Sequence, residues 1–221
     1  MSSAITRGLV VASVVLTVVA AAVTTGVLVA LNRVPGMPVA GNATAAPDRR
    51  LPATVSPSLL SDSPATIVGA SASCTSGPGV DSAGNRFTYE ARNAVDGQPA
   101  TAWRCDHDGV GASLLVTFAQ PAVISWIGVV PGFAKTDPYD GTDRYVQGRR
   151  VSSARFLFDD GTYIETGFDV SSTSRAMQVV RFPATRTGHV QLVVLASVPG
   201  SATNGFDPTD KIAISELAVG A

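Results

Sequence analysis

Residues able to bind or react concentrate in two stretches of this sequence. Between Phe133 and Arg150 lie Lys135, Asp137, Tyr139, Asp140, Asp143, Arg144, Tyr145, Gln147, Arg149 and Arg150. Guanidinium and carboxylate groups are planar and fix the geometry of ligand hydroxyls, while aromatic rings offer faces to stack on. That mixture suits sugar recognition, and Lys135, Tyr139, Asp140, Asp143, Arg144, Tyr145 and Arg149 are the candidate ligand-binding residues. The plainer reading is a solvated loop pinned by its own salt bridges, with Arg144 and Arg150 as partners of the nearby aspartates. The second stretch runs from Tyr89 to Cys105. Asp96-Gly97 signals a turn, Pro99 excludes a helix, and Thr101-Ala102-Trp103 returns to a strand-like pattern. An ordered loop of this kind must satisfy its own backbone polar groups. A carboxylate among carbonyls does so, often around a cation.

Catalytic patterns are weak. The two histidines, His107 and His189, are far apart in sequence. No Gly-x-Ser-x-Gly elbow stands out, and a zinc site needs three or four grouped His or Cys ligands. A non-enzymatic role is expected. The two cysteines, Cys74 and Cys105, flank the second stretch. They read either as a disulfide formed in an oxidising compartment or as two free thiols.

Around these stretches the 221 residues divide by composition. The chain is 45% hydrophobic and only 15% charged, which suits one globular domain plus an apolar segment. A net charge of -1 gives no basis for a nucleic-acid partner, which calls for a clustered basic face. Leu9 to Leu31 carries no charge. As a helix it would span roughly 35 Å, enough to cross a bilayer. Residues 1–31 are therefore expected to be a short tail and an uncleaved transmembrane anchor. A cleaved signal peptide is the rival, but its apolar core is usually shorter than this run. Residues 32–66 hold six of the fourteen prolines among Ala, Ser and Thr, and read as a disordered linker. Asn42-Ala43-Thr44 has the form of a glycosylation sequon.

From residue 67 to 221 the apolar pattern has a period of two, broken by turns. Strands are expected at Ser113–Phe118, Val123–Val130, Val151–Phe158, Thr162–Phe168, Met177–Phe182, His189–Ala196 and Ile212–Val219. Asp159-Asp160-Gly161 makes a hairpin of the third and fourth. Seven or eight strands in this length is the arithmetic of an all-β sandwich or jelly roll. Trp103 and Trp126 lie inside strand-like runs and read as core.

Asn93-Ala94-Val95-Asp96-Gly97 followed by Thr101-Ala102-Trp103 resembles the signature segment of discoidin, or coagulation factor 5/8 type C, domains. The resemblance extends through Ile127–Lys135, Asp143–Val151 and the closing Ile212–Leu217. It implies a galactose-binding-like jelly roll, a scaffold that many carbohydrate-binding modules share. In calcium-binding members the signature loop and the last strand wrap an ion. The matching positions here are Asn93, Asp96, Gln98, Thr101 and Glu216, so the resemblance implies a structural Ca2+. Without an ion, Asp96 would cap its turn and Glu216 would pair with an arginine. The expectation is thus a non-catalytic module tethered outside a bacterial membrane and binding a cell-envelope glycan. The alternative is a module docking on an envelope or membrane protein. Lipid binding would need apolar spikes at loop tips, for which Phe87 and Phe133 are the obvious candidates.

Overall fold

The computed structural model describes residues 48–56, 64–81 and 83–221. The expected anchor and the linker up to residue 47 lie outside them. Eleven strands form in the described residues, β1 (Thr54–Ser56), β2 (Ile67–Ala72), β3 (Gly79–Val80), β4 (Arg86–Phe87), β5 (Trp103–Asp106), β6 (Ser113–Val130), β7 (Gly148–Leu157), β8 (Tyr163–Gly167), β9 (Gln178–Val198), β10 (Thr209–Ile214) and β11 (Glu216–Gly220). Among the described residues the helical content is one 3-10 turn, Ala91–Ala94, and one helical turn, α1 (Arg144–Gln147). Among the described residues no helix is long and apolar enough to cross a membrane.

Nine strands form one sheet with the path β11-β6-β9-β7-β10-β5, while β2 joins β6, β8 joins β7 and β1 joins β9. Two strands are much longer than usual and curl the sheet around its core. β6 has 18 residues and β9 has 21. Their pairing slips between Thr117 and Ala122 and again between Ile124 and Trp126. Such bulges bend a strand and sharpen its twist. The expected breaks at Gln120-Pro121 and Phe182–His189 are therefore bends within strands. Pro121 cannot donate to the ladder and sits where the pairing is already interrupted. Past the first slip, β6 exchanges β2 for β11 as its outer neighbour, pairing Glu216 with Val130 and Val219 with Ile127.

The inward face follows the period of two read from the sequence. Leu114, Val116, Phe118 and Ile124 of β6 meet Val190, Leu192 and Val194 of β9, with Val151 and Phe156 of β7 and Ile212 and Ile214 of β10. Trp103 and Trp126 are fully buried. Cys74 and Cys105 form a disulfide that ties the chain after β2 to β5.

The linker expectation needs correction over 48–56. Leu51 N donates to Tyr163 O at 2.7 Å, and β1 pairs antiparallel with β9 at Val179–Arg181. Leu51 and Ala53 pack on the core. Proline content favoured an extended chain, and an extended chain with two apolar side chains can complete a sheet edge. Pro64 and Ala65 likewise lie along Val219 and Gly220, just ahead of residue 67.

Reducing the disulfide, or replacing both cysteines with serine, is expected to lower the unfolding free energy by about 3–4 kcal/mol. That is the loop-closure entropy of a crosslink whose cysteines are 31 residues apart. Urea unfolding of the oxidised and reduced protein measures it.

Candidate functional site

The curled sheet leaves a pocket of about 240 Å3 at one end. Three aromatic rings line it. Phe87 meets Tyr89 edge to face with centroids 5.4 Å apart, and Tyr89 meets Phe133 in the same way at 6.2 Å. With Ala102 and Ala213, Tyr89 and Phe133 form a small core of their own, and Phe87 packs against it half-buried. Gly79 is required here, because a Cβ would come within 2.6 Å of the Phe87 ring.

Strand alternation sends charge into the same pocket. On β5, Trp103 and Cys105 face the core while Arg104 turns outward. The Arg104 guanidinium lies 4.5 Å from the centroid of Tyr89 and 5.6 Å from that of Phe133. Its Nη1 donates to Tyr89 Oη at 2.8 Å. On β10, Ile212 and Ile214 face the core while Lys211 and Ala213 line the pocket. Lys135 Nζ sits 5.0 Å from the centroid of Phe87.

The carboxylates of this region are mostly engaged. Asp137, only 3% exposed, pairs with Arg144 at 2.7 Å, and that guanidinium holds its carboxyl below the usual range. Arg144 also bonds Gln147 Oε1 at 2.8 Å. Asp81 accepts from Asn85 Nδ2 at 3.0 Å and from the backbone N–H of Ala83 and Asn85, and the Asn85 side chain is the main cause of its lowered pKa.

The seven residues expected to bind ligand therefore separate. Lys135 and Arg144 line the pocket. Tyr139 is exposed outside the lining, and its hydroxyl accepts from Asn85 at 3.2 Å. Asp140 pairs with Arg144 and caps Thr142 N, and Arg149 pairs with Asp210. Asp143 caps α1 at Tyr145 N and Val146 N and pairs with Arg175. Tyr145 corrects the sequence reading. It is fully buried, its hydroxyl donates to Ser174 O at 2.7 Å, and burial pushes its pKa up to about 12. A ring in that position cannot meet a ligand. The pinned-loop reading thus describes most of these groups. Phe87, Arg104 and Lys211 join the lining from strands, and Tyr89 from the loop after β4. Phe87 and Tyr89 stand two apart beside the Asp96 loop, which is the sequence signal that marks them.

The five residues matched to a cation do converge. Thr101 Oγ1 lies 2.8 Å from Asp96 Oδ2, 2.8 Å from Gln98 O and 3.3 Å from Asn93 O. One hydroxyl has one proton, so it satisfies only one of these acceptors at a time. Glu216 faces the same cluster, close enough to feel the charge of Asp96, and its Oε1 is buried with no hydrogen-bond partner. Its expected arginine partner is absent among the described residues. The Asn93 side chain turns away to donate to Thr88 O at 2.7 Å, leaving its carbonyl toward Thr101. Hard oxygens from two distant segments with one orphaned carboxylate oxygen fit a cation such as Ca2+. Only two of the donors are carboxylates, and no group of three or more His, Cys, Asp or Glu suited to a metal occurs among the described residues.

No family model and no curated protein matches this sequence. Solved structures do resemble it, among them CBM32 carbohydrate-binding modules, which are galactose-binding-like domains of the discoidin type. One is a CBM32 domain from Clostridium perfringens in complex with GalNAc-β-1,3-galactose. It is 18% identical, covers 69% of this chain and 94% of its own, and has a TM-score of 0.48. The family 32 module of NanJ from C. perfringens, in complex with galactose, is 18% identical over 68% of this chain and 91% of its own, with a TM-score of 0.47. The CBM32 of AlyQ, in complex with 4,5-unsaturated mannuronic acid, is 15% identical over 71% and 97%, with a TM-score of 0.45.

Tyr145→Ala is expected to cost about 3–5 kcal/mol of stability, the range for emptying a large aromatic site, and Tyr145→Phe about 1 kcal/mol. Urea unfolding of the two variants checks this. Glu216 supplies a pH dependence. Burial first, and then the charge of Asp96, raise its pKa from 4.5 to about 7. Folding thus favours the protonated form. In chelator, stability is present in full below about 4.5 and is lost as pH rises through about 7. The loss is on the order of 1–2 kcal/mol once solvent screening is allowed for. Glu216→Gln is expected to flatten that part of the thermal-unfolding pH profile.

Proposed function

We propose that this protein is a non-catalytic carbohydrate-binding module. The observation that carries the reading is the pocket itself, where the half-buried Phe87 ring is bordered by fixed hydrogen-bonding groups. Sugars present an apolar C–H face and an equatorial edge of hydroxyls, and this site offers a partner to each. Phe87 and Tyr89 provide ring surface, while Arg104 and Lys135 provide donors around it. A pocket of about 240 Å3 is smaller than most drug-sized sites and suits a single sugar residue. Binding by a preformed surface needs no nucleophile or general base, and the pocket lining contains neither a histidine nor a cysteine.

In this reading the Asn93–Thr101 loop and Glu216 hold a structural Ca2+. Asp96 and Glu216 contribute charge, and the carbonyls of Asn93 and Gln98 with the Thr101 hydroxyl contribute neutral oxygen. The ion neutralises two carboxylates that otherwise repel, and so fixes the loop between Tyr89 and Arg104. The apolar run Leu9–Leu31 anchors the protein in a membrane, with the binding domain on the extracytoplasmic side. The Cys74–Cys105 disulfide supports that placement, because such bonds persist in oxidising compartments. The target is then a glycan of the cell envelope.

A glycan array probed with the full chain, with and without calcium, tests the reading. Phe87→Ala is expected to weaken retention at least tenfold, or about 1.4 kcal/mol, without a comparable fall in melting temperature. A folded protein that retains no glycan would refute it. For the ion, millimolar Ca2+ is expected to raise the melting temperature by several degrees, since a concentration a hundredfold above Kd stabilises by about 2.7 kcal/mol. Asp96→Asn and Glu216→Gln should abolish the rise, and an unchanged melting temperature in the native protein would exclude calcium.

A further inference from the structure

Four cationic side chains line the pocket, Arg104, Lys135, Arg144 and Lys211, against two carboxylates, Asp81 and Asp137. The excess is local, since the whole chain carries a net charge of -1. Two of the four cations are neutralised within the fold. Arg144 is held by Asp137 and Asp140, and Lys211 by Asp106 at 2.7 Å. Arg104 and Lys135 have no carboxylate within ion-pair distance among the described residues. Lys135 does feel the Asp81 charge from further away, but that carboxylate is already held by Ala83 and Asn85.

Arg104 is the more telling of the two. It is half-buried, Nη1 is committed to a neutral phenol, and Nε is buried with no hydrogen-bond partner. The rings of Tyr89 and Phe133 hold the guanidinium plane. Keeping a guanidinium partly out of water without a counter-ion costs free energy, which cation–π contact offsets only in part. Lys135 stands over the third ring of the same aromatic row. A neutral sugar would use both groups as ordinary donors and leave their charge uncompensated. An anionic group on the ring would take charge-assisted bonds from both, and such bonds are about twice as strong as neutral ones.

We infer that the pocket selects an acidic sugar residue, whose anionic group, a uronate carboxylate or a sulfate ester, bridges Arg104 and Lys135 while its ring lies against Phe87. The inference rests on the carbohydrate-binding reading and narrows it to one ligand class.

Calorimetry on the full chain tests it, in a polyoxyethylene detergent rather than a sugar-based one. The probes are tetrasaccharides of galacturonate, glucuronate and mannuronate, the same sugars with every carboxyl reduced to the alcohol, a 6-sulfated galactotetraose with its unsulfated parent, and polyglutamate. At least one acidic sugar should bind tenfold or more tightly than its neutral counterpart, and the preference should shrink as salt rises from 50 to 500 mM. Which acid wins distinguishes carboxylate from sulfate. Lys135→Gln should reduce the preference about five- to tenfold with no change in melting temperature. Arg104→Gln should do the same, with its melting temperature recorded because the side chain also packs on Tyr89. Equal binding of acidic and neutral forms, or a preference that survives both substitutions, would overturn the inference and leave carbohydrate binding intact. So would binding of neutral array glycans alone. Polyglutamate binding as tightly as the best acidic sugar, or no binding of any glycan, would overturn both.

Discussion

Burial of Trp103 is the constraint on which the rest of the site depends. The indole is fully enclosed and donates from Nε1 to Cys74 O at 2.8 Å, so its one polar atom is satisfied inside the core. With Trp103 inward, strand alternation leaves no freedom to its neighbours. Arg104 must turn outward into the pocket, and Cys105 must turn inward to the disulfide with Cys74. The pairing of β5 with β10 then sets Trp103 opposite Ile214 and Arg104 opposite Ala213. A slip of one residue would bury the guanidinium and expose the indole.

The same segment serves two sites at once. Tyr89 and Arg104 stand at either end of the loop, joined by Arg104 N donating to Tyr89 O at 3.2 Å. Both side chains line the pocket, while the intervening Asn93–Thr101 carries the oxygen cluster that faces Glu216. Whatever fixes the cluster also fixes the separation of Tyr89 and Arg104. The pocket and the oxygen cluster are in this sense one structural unit, held at its ends by backbone pairing, with a carboxylate from β11 facing its middle.

The loop from Phe133 to Arg150 shows how charge density is misread when geometry is unknown. Its aspartates are close enough in sequence to its arginines that the fold satisfies most of them internally. Asp137 and Asp140 hold Arg144, and Asp143 caps α1 and pairs with Arg175. What remains for a ligand is Lys135, whose neighbours in sequence include no carboxylate positioned to pair with it. The cations that matter are those left over after internal pairing, and sequence composition counts them all equally.

Alternation and turn chemistry in the sequence alone determined the all-β class, the burial of the tryptophans and the hairpin at Asp159-Asp160-Gly161, because a period of two and a tight turn are local properties. The pairing of the Asn93–Thr101 motif with an acidic residue in the last strand came from the family resemblance, not from alternation or turn chemistry. Local signals could not decide that the breaks at Pro121 and Phe182–His189 are bends within continuous strands, because only the partner strand shows whether pairing resumes. Nor could they decide that 48–56 adds to the sheet, since docking depends on an edge supplied by residues more than a hundred positions away. The aromatic row of Phe87, Tyr89 and Phe133 and the two cations beside it are likewise products of tertiary structure. They come from three separate segments, around residues 87–89, at 104 and at 133–135, which meet only in the folded domain.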